Sequence, residues 1–225
     1  MIALAQSGWL APLAGLLAGA AMGFVARRWR FCTLSALERW WYANDATALR
    51  AWVLATAVAM ALTQALWLGG LIAVEDSFYL SPLLSLPGAV LGGLLFGIGM
   101  ALVGACGFSA LVQVGGGSLK ALVVLVVMGL AALAAQRGLV AQVRVALVDA
   151  QAMDLSFAGN QSLGAILSAM TGADLHAATA IAVAGGLFLW VFASPAFRAR
   201  PGLMFAGAVI GLAIAAGWVV TSFAA

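Results

Sequence analysis

Charge is what this chain has least of. Only 8% of its 225 residues are Asp, Glu, Lys or Arg, against about 25% in a typical soluble domain. So few charges exclude a water-facing surface of ordinary size. Histidine occurs once and cysteine twice, too few for a zinc cage or a disulfide framework. No phosphate loop, metal-ligand cluster or nucleophile–base pair is legible, so no cofactor, no metal and no catalytic residue is expected, and the chain is not expected to be an enzyme. The net charge of +3 comes from arginines beside apolar runs and calls for no nucleic acid. The first residues, Met1 to Gln6, lack the basic flank and cleavage pattern of a secretory signal and are expected to lead directly into the first span.

What is abundant is apolar surface: 65% hydrophobic residues and a mean hydropathy of +1.14. Continuous apolar runs of about 20 residues fit a hydrocarbon core roughly 30 Å thick, and continuity rather than alternation favours helices over a barrel. The expected fold is therefore all-α: a polytopic helical membrane protein forming a single transmembrane domain over 1–225 within the lipid bilayer. Six spans are expected at about 9–26, 51–74, 83–105, 119–136, 176–194 and 203–222. Arg27, Arg28, Arg30, Arg39 and Arg50 follow the first span, Lys120 lies in the third loop, and Arg198 and Arg200 lie in the fifth. The second loop carries Glu75 and Asp76. The positive-inside rule then puts the odd loops in the cytoplasm and both termini outside.

From Ser77 to Gln136 the only charge is Lys120, a stretch long for two spans and a solvated loop. Its middle, Cys106-Gly-Phe-Ser-Ala-Leu-Val-Gln-Val-Gly-Gly-Gly117, is apolar and ends in helix-breaking glycines. It reads as a short re-entrant helix, tolerated at membrane depth only against protein or a water-filled path. The glycines Gly115, Gly116 and Gly117 form either a nest of N–H groups for an anion or a plain turn. Lys120 is either a pathway charge or a snorkelling side chain.

An internal repeat points to the same place. Gly15-Leu-Leu-Ala-Gly19-Ala-Ala-Met22 recurs as Gly93-Leu-Leu-Phe-Gly97-Ile-Gly-Met100, and Cys32-Thr-Leu-Ser-Ala-Leu37 answers to Cys106-Gly-Phe-Ser-Ala-Leu111. The repeat covers about 9–74 and 83–136, and the loop charges set its two copies parallel. Repeated broken helices mark the central site of many transporters. A lone cysteine in a helix bundle usually just packs. Two at equivalent repeat positions, each near small residues, instead suggest weak S–H donors along a path for a soft anion. Cys106, Cys32, Gly107, Ser109, Gly115, Gly116, Gly117 and Lys120 are the candidate pathway residues. Gly15, Gly19, Gly23, Gly93, Gly97 and Gly104 are expected to let helices approach closely.

The run from Gly97 through Cys106 and Lys120 to Leu122, and the run Gly23-Phe-Val-Ala-Arg-Arg-Trp-Arg-Phe-Cys32, resemble the YeeE/YedE family of bacterial sulfur transporters. Gly207 to Trp218 resembles a span of that family more faintly. The resemblance implies a multi-pass protein of the bacterial inner membrane that takes up thiosulfate or a related small sulfur-containing anion without ATP-binding machinery. It further implies an inverted-repeat bundle whose broken helices carry pathway cysteines, matched here by Cys32 and Cys106. Typical members are longer, and a third pathway cysteine has no counterpart here, which suggests a homo-oligomer or a missing partner half. A cytoplasmic sulfur-carrier protein is a further expected partner. Two other functions compete: a membrane thiol protein relaying sulfane sulfur through a Cys106 persulfide, and a non-transporting assembly subunit.

Overall fold

The computed structural model describes residues 9–72, 74, 80 and 82–224; Met1 to Gln6 and the pair Glu75 and Asp76 lie outside them. The described chain is mainly helical, with almost no strand. Among the described residues four segments are long and apolar enough to cross a membrane: Thr47–Leu68, Leu86–Gly115, Leu119–Arg137 and Pro201–Ser222. His176–Phe192 is a shorter apolar helix. The chain is a multi-pass helical membrane protein.

It divides into two compact units, residues 1–78 with 174–225, and residues 79–173. In the first, α1 (Leu10–Arg28) is followed by the short α2 (Thr33–Ala43) and the long α3 (Thr47–Leu68). The chain returns as α9 (His176–Phe192), the single turn α10 (Pro195–Arg198) and α11 (Pro201–Ala224). The α3 helix is the centre: α11, α9 and α2 all pack against it, and α1 packs on α11. Small residues make this possible. Ala51, Ala55 and Ala57 of α3 and Ala206 and Ala215 of α11 are buried, so the two backbones come close. A Cβ on Gly207 would stand 2.6 Å from the Ala51 carbonyl oxygen, and one on Gly211 would stand 2.6 Å from that of Ala55. Without a hydrophobic driving force in lipid, such backbone contact is what holds helices together.

Within its own unit and among the described residues, a Cβ at Gly15, Gly19, Gly23, Gly93 or Gly97 meets no atom within 4 Å, so the close approach expected there is not made within the unit. Glycine spacing alone cannot tell which helix faces a neighbour. Gly104 serves as a turn, its φ of +73° ending α4 in the left-handed region that glycine enters without a Cβ clash. The second span begins and ends earlier than expected. Asp45 and Thr47 start α3 at its N-terminus, and Gly70, at φ +68°, closes it while Leu71 N–H reaches the Leu66 carbonyl at 2.9 Å.

The second unit holds α4 (Leu86–Val103), α5 (Gly107–Gly115), α6 (Leu119–Arg137), α7 (Leu139–Leu147) and α8 (Leu163–Thr171). A two-residue antiparallel ladder pairs β1 (Leu83–Leu84) with β2 (Met153–Asp154). The α5 helix packs on α6, and α6 on α7. Helices α7 and α8 fill the stretch between the fourth and fifth expected spans, a mixed-charge loop by sequence, with Arg137 and Arg144 against Asp149, Asp154 and Asp174.

The same order of elements occurs once in each unit: a long helix, a cysteine, a short helix, a long helix. In both, the long helix ends on a left-handed residue two positions before the cysteine, Arg30 at φ 51° and Gly104 at φ 73°. In the first unit Phe31 N–H then bonds the Ala26 carbonyl at 2.9 Å, a Schellman closure with arginine where glycine is usual.

Candidate functional site

Each cysteine is the N-cap of its short helix. Cys32 (φ −143°, ψ 130°) precedes α2 and Cys106 (φ −82°, ψ 159°) precedes α5, both extended. Each carbonyl starts its helix, accepting from Ala36 N–H at 3.0 Å and from Ala110 N–H at 2.9 Å. The Cys106 Sγ also accepts from Ser109 N–H at 3.4 Å, and Ser109 Oγ donates to the Cys106 carbonyl at 3.1 Å. Serine occupies the corresponding cap of α4, α6, α8 and α10, at Ser85, Ser118, Ser162 and Ser194. Oxygen is the stronger acceptor, and Ser is a preferred cap while Cys is not. Cysteine at two caps is therefore a local cost that capping does not explain.

Cys106 is buried, at 3% exposure, and borders a cavity of about 410 Å³ walled by Phe96, Met100, Val103, Gly107 and Met128 among others. No other lining side chain there has a hydrogen-bond donor, and Met100, Cys106 and Met128 bring three sulfur atoms to one apolar space. Gly107 is part of the shape, because a Cβ there would come within 3.2 Å of Met128 Cε.

Half-buried Cys32 borders a different kind of space, about 270 Å³, whose polar lining is Arg30, Ser35, Glu38 and Arg39, with Trp29, Phe31 and Trp52 among the apolar walls. Arg39 is ion-paired with Asp45. The same carboxylate takes Arg200 at 3.3 Å, Thr47 N–H at 3.0 Å and Thr47 Oγ1 at 2.6 Å. Arg200 Nη1 donates to Thr47 Oγ1 as well, at 2.8 Å. Arg50 donates to the Trp190 and Val191 carbonyls at the end of α9 and lies over the Trp190 ring, 4.1 Å from its centroid. The arrival of Arg200 in this network is not legible by spacing, because it stands 155 residues from Asp45.

Burial alone would raise the Asp45 carboxyl, but the bonds from Thr47 and Arg39 outweigh it and hold the group well below the usual carboxylate range. A depressed carboxyl stabilises the fold at any pH above its unfolded value, about 4, and that contribution is lost as pH falls through the folded value. Asp45→Asn is therefore expected to lower thermal stability by about 1–3 kcal/mol at neutral pH. In detergent, the gap between parent and variant should stay constant from about pH 8 to pH 5 and narrow below about pH 4.

The remaining candidates lie apart from the thiol. Cys106 and Ser109 sit at the start of α5, whereas Gly115 ends that helix, nine residues long and so about 13 Å at 1.5 Å per residue. The glycine N–H groups are committed: Gly116 donates to Gln113, Gly117 to Val114 and Ser118 to Gln113, at 2.8–3.1 Å. The anion-nest alternative fails, and the glycines form a turn, with Gly117 at φ +87°. Lys120, exposed in the first turn of α6, belongs to that end too. Among the described residues no group of three His, Cys, Asp or Glu could hold a metal ion.

No curated protein and no solved structure matches the chain. A family model described as sulphur transport matches residues 28–224, a stretch that contains both cysteines, both cavities and the Asp45 network. The chain belongs to that family, the YeeE/YedE sulphur transport family.

Proposed function

We propose that this chain is a permease, or permease subunit, for thiosulfate or a related small sulfur-containing anion in the bacterial inner membrane. The anion passes by transient contacts with the Cys106 and Cys32 thiols and undergoes no covalent change. The observation that carries this reading is the cap position: both cysteines stand at the N-terminus of a short helix beside a cavity, where four other helices of the chain use serine. Helix N-termini favour anions through their unpaired N–H groups and dipole. A thiol adds only a weak donor, which binds and releases, as conduction needs. The soft sulfur lining at Cys106 suits a polarisable sulfur anion better than a hard, hydrated one.

The test is thiosulfate-dependent growth with labelled uptake, in cells lacking their own sulfur uptake routes. Uptake by the parent and its loss in Cys106→Ala and Cys32→Ala, at matched membrane levels, is the expected outcome. Equal uptake by all three would sink the thiol path. A mass increase of one sulfur atom on Cys106 after exposure would favour the persulfide relay instead.

A further inference from the structure

The Cys32 cavity holds more charge than a thiol path needs. Arg30 and Arg39 line it with a single carboxylate, Glu38. Arg39 is not committed to the cavity: its guanidinium is paired with Asp45, which does not line that space. Asp45 in turn does not depend on Arg39, since Arg200 and both the N–H and hydroxyl of Thr47 also bond it. Among the described residues, three guanidinium groups, of Arg30, Arg39 and Arg200, thus stand with two carboxylates, of Glu38 and Asp45. One positive charge is left over beside a cavity large enough for a small anion.

We propose that Arg39 is the anion-docking residue of the Cys32 cavity, with Asp45 as the internal carboxylate on which it rests when the cavity is empty. This rests on the reading that a small anion passes Cys32. An oxyanion entering beside Cys32 exchanges with Asp45 for the planar donor fork of Arg39, a geometry suited to two oxygens at once. Asp45 keeps its other three bonds during the exchange, so the swap does not strand a buried charge. The release of Arg39 back to Asp45 supplies the competition that lets the anion leave. Arg39 is a specificity residue here, favouring oxyanions over neutral thiols, and Asp45 is a positioning residue acting through it.

The test reads the cavity directly. In a Cys106→Ala background Cys32 is the only thiol, and its reaction rates with an anionic and a cationic methanethiosulfonate reagent are measured on the full chain in detergent. The ratio of the two rates cancels the thiol's own reactivity. Arg39→Gln is expected to lower the anionic-to-cationic ratio by about three- to tenfold, the effect of one nearby partly screened unit charge. Arg39→Lys keeps it near the parent, and Asp45→Asn raises it. Added thiosulfate slows labelling in the parent and not in Arg39→Gln. An unchanged ratio in Arg39→Gln overturns the proposal. So does a fall in Asp45→Asn matching that in Arg39→Gln, because a purely structural pair moves both variants in one direction. If these ratios are found in the Cys106→Ala background and yet the unmodified chain shows no uptake, the transport reading fails while the anion site stands.

Discussion

Gly211→Leu will separate α11 from α3 and leave little folded protein in the membrane. A Cβ at Gly211 would lie 2.6 Å from the Ala55 carbonyl oxygen and 2.7 Å from Val58 Cβ. The first obstacle is backbone and cannot rotate away, so relief requires the helices to part. That uncovers Ala51, Ala55, Ala206 and Ile210, which are buried. Overpacking a tight core costs about 1–3 kcal/mol when side chains can adjust; here they cannot, and the loss lies at or above that range. Even Gly211→Ala should lower the apparent melting temperature in detergent by several degrees. Gly97→Ala is the matched control. Its site is open, and alanine is a better helix former than glycine by about 1 kcal/mol, so the same change should leave stability equal or raised. Fluorescence-detected size exclusion after heating distinguishes the two. Equal behaviour of Gly97→Ala and Gly211→Ala would contradict the packing described for α3 and α11.

The second large effect belongs to Cys106→Ser. Replacing Sγ by Oγ keeps an acceptor for Ser109 N–H and supplies the cap used at Ser85, Ser118, Ser162 and Ser194. Folding should therefore be preserved. Function should not be. A hydroxyl is a harder, stronger donor than a thiol, and in an apolar cavity shared with Met100 and Met128 it removes the soft contact and holds what it binds. Uptake should drop by about tenfold or more, because conduction requires weak binding. Cys106→Ala loses both the cap and the thiol, so comparing the two variants separates helix stability from permeation.

Much of this architecture is legible in the sequence, because the bilayer imposes its length scale directly. Of the six expected spans, four fall on segments long and apolar enough to cross a membrane, which hold α3, α4, α6 and α11, and the other two fall on α1 and the shorter α9; the Cys106 segment forms a short helix as its closing glycines suggest. The paired Cys-x-x-Ser-Ala-Leu runs point to equivalent local structure, and both are helix caps. What stays hidden depends on neighbours. Gly15 and Gly19 have the same spacing as Gly207 and Gly211, but among the described residues of their unit only the second pair has a helix against it. Whether three glycines offer their N–H groups outward or back to their own helix is decided by the carbonyls of Gln113 and Val114, which composition does not reveal. Ser162 ahead of an apolar run is a capping signal for α8 that a mixed-charge loop obscures. Asn44-Asp45-Ala-Thr47 before α3 is another, and it locates the start of the helix though not the arginine that arrives from beyond α10.

The central claim is that the thiols make a path for a small sulfur anion. Its most direct test is uptake of labelled thiosulfate into proteoliposomes holding only this purified chain, compared with Cys106→Ser of equal stability. Protein-dependent uptake by the parent that falls to the empty-liposome level in Cys106→Ser is the predicted result. Uptake unchanged by the serine would contradict it.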